Sequence, residues 1–146
     1  MEVEVQPFTV IQAGVVMKCP FIISTSAPCN FFHAVLVNLS GKVLEDHLMS
    51  EPVTTPKILY ANPGHDLSAK ALHFGIFRKL TIVCSGRYKI RVDAHTVDSQ
   101  GATCQQCVVS SAFTVQSGPV DSGKPTPDER SILRWLKKMG IRTGRI

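Results

Sequence analysis

The sequence predicts a mainly β protein, an antiparallel sandwich with one helix at its C-terminal end. Two observations carry this. The first is the stretch Leu80 to Val92, where an apolar run meets Ser85-Gly86 and restarts in strict alternation, which reads as a hairpin. From Arg87 onward Tyr88, Ile90, Val92 and Ala94 fall on one face and Arg87, Lys89, Arg91 and Asp93 on the other, the period of two that a half-buried strand requires. The second is the spacing of such segments: several follow one another across short turns with no helical pattern between them, as in sandwiches and barrels.

The elements follow in order. After the acidic Met1 to Val5, the segment Phe8 to Met17 is rich in Val, Ile and Thr and is bounded by Pro7 and by Lys18-Cys19-Pro20, so it reads as a first strand. Phe21 to Ser24 is a short extended piece, and Ser26 to Asn30 has turn chemistry. Phe31 to Leu39 is a strong strand, apolar on both faces and therefore expected at the centre of a sheet. Lys42 to Ala69 contains Pro52, Pro56 and Asn62-Pro63-Gly64 and reads as a long connection with weak strands near Val43 and over Lys57 to Tyr60. Order returns with Lys70 to Phe77, Leu80 to Val83, Arg87 to Val97 and Cys107 to Gln116, separated by turns such as Asp98-Ser99-Gln100-Gly101.

Residues 117–126 form a linker, after which the pattern turns helical. Thr126 and Glu129 have the spacing of a capping box and Pro127 sits at the favoured first helical position. Ile132, Leu133, Leu136 and Met139 make an apolar stripe that Trp135 widens, and Gly140 is placed to end a helix running from Pro127 to Met139. A helix of this length is marginal alone, so its stripe must bury against the sandwich or a second subunit.

With 146 residues, 44% hydrophobic and 18% charged, the chain reads as one domain over residues 1–146, without a disorder signature. Its longest apolar stretch, Phe8 to Met17, is interrupted and too short to span a bilayer, so no membrane partner is expected. The net charge of +5 is concentrated: from Lys124 onward seven cations face only Asp128 and Glu129, an excess that alone equals the net charge. Clustered cations favour an anionic partner, and two groups qualify: Arg78, Lys79, Arg87, Lys89 and Arg91 in the β region, and Arg134, Lys137, Lys138, Arg142 and Arg145 at the end. If both line one edge, they can neutralise several phosphates of double-stranded DNA. The alternative for each is a solvated face.

Chemistry is sparse. The five cysteines are odd in number and irregularly spaced, which favours a reducing compartment. Cys104-Gln105-Gln106-Cys107 has the spacing of a metal or redox pair but supplies only two ligands, and a thioredoxin-like site would need a βαβ setting that this pattern lacks. The five histidines are dispersed, and His33 and His73 lie inside apolar strands as hydrogen-bonded structural histidines do. Ser24, Ser85 and Ser110 lack a nucleophile elbow, and no phosphate loop opens a helix. The expectation is a protein with no catalysis, no metal, no cofactor and no small-molecule substrate.

Several segments resemble the velvet domain of fungal regulators. His73-Phe74-Gly75-Ile76-Phe77, Leu80-Thr81-Ile82 and Gly86-Arg87-Tyr88-Lys89-Ile90-Arg91-Val92 are similar to three consecutive strands of that family, and Ala112-Phe113-Thr114-Val115-Gln116-Ser117 to its Pro-Phe-Thr-Val-Tyr-Ser segment. Leu133 through Leu136 to Gly140-Ile141-Arg142 and Arg145 resembles its closing helix and tail, while Pro7 to Gln12 and Phe31 to Val37 match more loosely. The resemblance implies an immunoglobulin-like sandwich, dimerisation with itself or another velvet-domain protein, DNA binding, control of development and secondary metabolism, and nuclear residence with shuttling to the cytoplasm as a variant. The family usually carries a basic segment before its first strand, whereas Met1 to Gln6 precede Pro7 here. The alternative is therefore an interaction module of the same fold whose dimer partner supplies the DNA contacts.

Overall fold

A computed structural model describes residues 1–60, 71–121 and 123–143. The expected turn at Asn62-Pro63-Gly64, the strand start at Lys70, Ser122 of the linker and Arg145 of the basic tail lie outside the described residues.

Twelve strands and one helix follow in chain order: β1 Glu2–Val5, β2 Val10–Gln12, β3 Phe21–Thr25, β4 Phe31–Asn38, β5 Leu48–Ser50, β6 Val53–Thr54, β7 Lys57–Tyr60, β8 Ala71–Phe77, β9 Leu80–Ile82, β10 Gly86–Asp98, β11 Gly101–Val109, β12 Phe113–Gln116 and α1 Pro127–Lys138. One sheet has the order β1-β3-β8-β7; a larger one has the order β2-β12-β10-β4-β6, with β11 also on β10; β5 and β9 form a two-stranded piece. All pairings among these strands are antiparallel except β12 with β2, where Thr114 faces Val10.

The molecule is layered because each sheet of the sandwich supplies an apolar inner face. Phe21 and Ile23 of β3 and Phe77 of β8 pack against Phe32, Ala34 and Leu36 of β4 and Tyr88, Ile90 and Val92 of β10. The alternation read in β10 is therefore the real one: Tyr88, Ile90, Val92 and Ala94 are buried, while Arg87 is exposed and Lys89, Arg91 and Asp93 are half-buried. Packing is tight at Gly75, where an added Cβ would lie 2.6 Å from Phe32 Cδ2 of the facing sheet and 2.9 Å from Ile23 Cδ1 of the neighbouring strand. Every larger side chain is excluded there.

The central strands β3 and β8 of the four-stranded sheet are buried on both faces, and their second cover is α1. Ile22, Phe74 and Ile76, pointing away from the sandwich core, meet Leu133 and Leu136, with Trp135 edge-on to Phe74 at a centroid distance of 5.6 Å. The helix begins as expected: Thr126 Oγ1 accepts from the Glu129 backbone N–H and Glu129 Oε1 accepts from that of Thr126. Its apolar stripe is seated on this chain's own sheet. Met139 differs from the expectation, since it is the C-cap and stays 40% exposed, because the stripe runs out one turn earlier at Leu136.

Three further expectations are corrected. Leu80–Ile82 and Gly86–Asp98 do not form a hairpin: β9 pairs with β5, and the chain crosses between sheets at residues 83–85. All three residues of β9 are buried, so both its faces are covered, and its partner comes from the weakly patterned Leu48–Ser50. The Tyr88 hydroxyl, 2.9 Å from the carbonyls of both Cys84 and Ser85, holds the crossing. The hairpin partner of β10 is instead β11, across the turn in which Asp98 Oδ1 accepts the Gln100 N–H.

Second, Cys107 to Gln116 is two strands. Ser110 interrupts it, accepting the Ile90 N–H on Oγ and donating to the Ser111 carbonyl, so that β11 and β12 take successive stretches of the same β10 edge. Third, Phe8 to Met17 contains only the three residues of β2, while Glu2–Val5, unassigned in the sequence, pairs with β3. The expected central position of Phe31–Asn38 is observed, between β10 and β6. Lys57 to Tyr60 is a strand, and Val43 makes an isolated bridge to Val37. No helix among the described residues is long and apolar enough to cross a membrane.

Candidate phosphate-binding cleft

Among the described residues, the cations singled out in the sequence go to four places. Arg87, Lys89 and Arg91 stand on the outer face of the six-stranded sheet, opposite Thr114, Val37 and Val35 respectively. The helix covers the outer face of the other sheet, so these residues and the helical cations Arg134, Lys137 and Lys138 occupy opposite sides of the sandwich and do not line one edge. Arg91 is moreover neutralised locally, with Nε donating to Asp93 Oδ1 at 2.9 Å and Nη2 to Oδ2 at 3.1 Å.

The helical cations are dispersed. Arg134 donates to Ser131 Oγ at 3.5 Å, and Lys137 and Lys138 lie exposed in the last turn, where they complement the carbonyl end of the helix. Lys79 pairs with Glu51 at 3.7 Å on the surface.

Two candidates from different parts of the chain do meet. Arg78, following β8, and Arg142, following α1, line one cleft of about 300 Å³ together with Lys57 of β7. Thr54, Ile76, Gly140 and Ile141 complete its wall. Among the described residues the lining contains three cations and no carboxylate. The arrangement follows from the backbone. Lys57 lies opposite Phe74, which puts it on the helix-covered side of its sheet, and Ile76 is on that side too. Gly140, at φ 81°, and Ile141 turn the chain back after α1, their N–H groups donating to the Lys137 and Leu136 carbonyls, and Arg142 is delivered to the cleft.

Such a constellation suits a tetrahedral oxyanion. Two guanidiniums and an ammonium offer fixed and rotatable donors to phosphate oxygens, and three like charges in one cleft repel one another until an anion enters. The sequence gives no sign of Lys57 because its strand is short and exposed; the β7–β8 register, which sets it opposite Phe74, puts it on the wall of the cleft that Arg78 also lines.

Other places are chemically quiet. A second cleft of about 330 Å³ between Thr9-Val10 and Pro119, Val120, Asp121 and Gly123 has Asp121 as its one charged residue among those described. Among the described residues no three of His, Cys, Asp and Glu come together as metal ligands. Ser24 donates to Glu4 and Ser110 serves the backbone, so both are engaged structurally. His73 is buried as expected, and its Nδ1 has no hydrogen-bond partner among the described residues; His33 is half-buried beside His95, whose ring stacks on Phe31 at 4.8 Å. The five cysteines are all free, with Cys19 buried and Cys84, Cys104 and Cys107 exposed.

No family model matches the chain, and no curated protein matches it.

Proposed function

We propose that this chain is a non-catalytic, velvet-type transcriptional regulator that binds the phosphate backbone of double-stranded DNA, as a dimer with itself or with another velvet-domain protein. The observation that carries the DNA reading is the cleft of Lys57, Arg78 and Arg142, three cations with no carboxylate among the described lining. The sandwich with its C-terminal helix agrees with the fold that the velvet resemblance implies. The resemblance, in turn, suggests nuclear residence and a role in fungal development and secondary metabolism.

The test is a mobility shift on duplex DNA over a salt series, with and without a velvet partner. Binding weakens steeply with salt, and in Lys57→Ala, Arg78→Ala and Arg142→Ala the slope of log K against log[salt] shrinks by about 0.9 for each phosphate that is no longer neutralised. Lys137→Ala with Lys138→Ala leaves that slope near the wild-type value. Absence of duplex binding at low salt, alone and with the partner, refutes the reading.

A second reading has its own observation. On the outer face of the six-stranded sheet Val53, Val97 and Val109 are each between 44% and 52% exposed. This favours an interaction module whose partner covers that face and supplies the DNA contacts. A monomer by light scattering that captures no velvet partner counts against it.

A further inference from the structure

Residues 51–57 carry the chain from the six-stranded sheet, through β6, to β7 at the edge of the four-stranded sheet. Exposure alternates along them: Glu51, Val53, Thr55 and Lys57 are exposed, whereas Pro52, Thr54 and Pro56 are half-buried. In an extended chain side chains two apart point the same way, so Thr55 shares the side of Lys57. Thr54 and Lys57 both line the cationic cleft, and Thr55 lies between them in the chain. Its hydroxyl makes no hydrogen bond among the described residues.

Thr55 is followed by Pro56, the local pattern that proline-directed protein kinases select. One other hydroxyl residue of the chain precedes a proline, Thr126 before Pro127. Its Oγ1 is occupied as acceptor of the Glu129 N–H, and the residues after it are helical, so it presents no extended segment. Thr55 instead sits in an exposed connection between two short strands. The surroundings also suit a phosphorylated product. Lys57 is two residues away, about 7 Å at full extension, inside the Debye length of about 8 Å at physiological ionic strength. Arg78 and Arg142 complete the cations of the same cleft. The carboxylate nearest in sequence, Glu51, is already paired with Lys79 at 3.7 Å.

We propose that Thr55 is a phosphorylation site of a proline-directed kinase, and that its phosphate occupies the cationic cleft and so keeps the nucleic-acid backbone out of it. The kinase transfers the γ-phosphoryl group of ATP. Thr55 Oγ1 forms a bond to the γ-phosphorus as the bond from that phosphorus to the β–γ bridging oxygen breaks; ADP leaves, and the hydroxyl proton passes to solvent. Phosphothreonine carries a charge of about −2 and three strong acceptor oxygens. The lining falls from three positive charges to about one, and its donors are engaged by an anion tethered two residues from Lys57. The modification stands apart from the DNA reading, whereas its effect on duplex binding rests on that reading.

The test incubates the full chain with a purified proline-directed kinase and magnesium ATP and maps the product in the tryptic peptide from Val43 to Lys57. A phosphoryl group on Thr55 is expected, and its absence from Thr55→Ala. By phosphorus NMR the second ionisation of the phosphate, ordinarily at a pH of about 6, falls at lower pH in the folded chain than in urea. Arg78→Ala and Arg142→Ala each move it back towards the urea value, because the cations that favour the dianion are gone. In the duplex mobility shift the phosphorylated chain shows a salt slope smaller by about 0.9 for each cation that the phosphate pairs, while unmodified Thr55→Ala keeps the wild-type slope. The proposal is overturned if the kinase leaves Thr55 unmodified, if the phosphate titrates alike in folded and urea-unfolded chains, or if phosphorylated and unmodified chains bind duplex with one slope. Failure of the unmodified chain to bind duplex refutes the DNA reading alone, and the NMR titration then decides the proposal.

Discussion

Glu129 holds two backbone N–H groups at once: Oε1 accepts from Thr126 at 2.8 Å, and Oε2 accepts from Gln6 at 2.6 Å, 123 residues away. The first bond caps α1; the second ties the start of the helix to the chain just after β1. Glu129→Ala therefore removes a charged acceptor from two donors and is expected to cost about 2–4 kcal/mol in urea unfolding. Thr126→Ala removes only the cap's hydroxyl acceptor and is expected to cost about 1 kcal/mol. Equal losses in the two variants would mean that the Gln6 contact contributes nothing.

At Gly75 the two sheets leave no room for a methyl group. The atoms an alanine would meet belong to Phe32, which is fully buried, and to Ile23, also fully buried, so neither can swing into solvent. Gly75→Ala is expected to destabilise by about 1–3 kcal/mol through overpacking. Adding Phe32→Leu removes the closer of the two contacts and leaves that with Ile23, so the double variant should unfold at a higher urea midpoint than the sum of the two single losses allows.

Leu136 is fully buried between α1 and the four-stranded sheet, and its carbonyl accepts the Ile141 N–H at 3.0 Å. It thus seats the helix and anchors the turn that delivers Arg142. Leu136→Ala is expected to cost about 2–5 kcal/mol. Met139→Ala, at the exposed C-cap, should stay within about 0.5 kcal/mol of wild type. If the chain binds DNA as proposed, Leu136→Ala is also expected to lower affinity in a salt-series DNA assay, whereas Met139→Ala is not.

The parts of the fold legible in the sequence are those fixed by local chemistry. Thr126, Pro127 and Glu129 define a helix start by spacing alone, and the alternation from Arg87 to Ala94 assigns core and solvent faces residue by residue. Pairing was not legible, because it depends on which distant segment completes a buried edge. Leu80–Ile82 has a strong apolar pattern, yet its partner, Leu48–Ser50, has almost none. The strand over residues 101–106 has no apolar signature because it is a polar, exposed edge of the β10 hairpin. The candidate cleft was half legible for the same reason: Arg78 and Arg142 stood out as cations, but their convergence with Lys57 depends on the β7–β8 register and the turn after α1.

Cys19 makes the fold sensitive to alkali. Burial, with the Glu129 carboxylate adding to it, pushes this thiol from the ordinary value of 9.0 to about 11. Between those values the unfolded chain has lost the proton that the folded chain still holds, so the folded state binds more protons and stability falls as pH rises. The contribution is complete below pH 9.0 and is lost as pH climbs through about 11. The shift corresponds to about 2–3 kcal/mol at 1.36 kcal/mol per pKa unit. Burial also raises Cys29 and Tyr88, in the same alkaline direction, so the readout must be a difference. Cys19→Ala lowers stability at neutral pH by leaving a small void, but its urea midpoint should then decline less than that of wild type between pH 9 and 11. Parallel declines in the two proteins would show that the thiol is already ionised in the folded chain across that range.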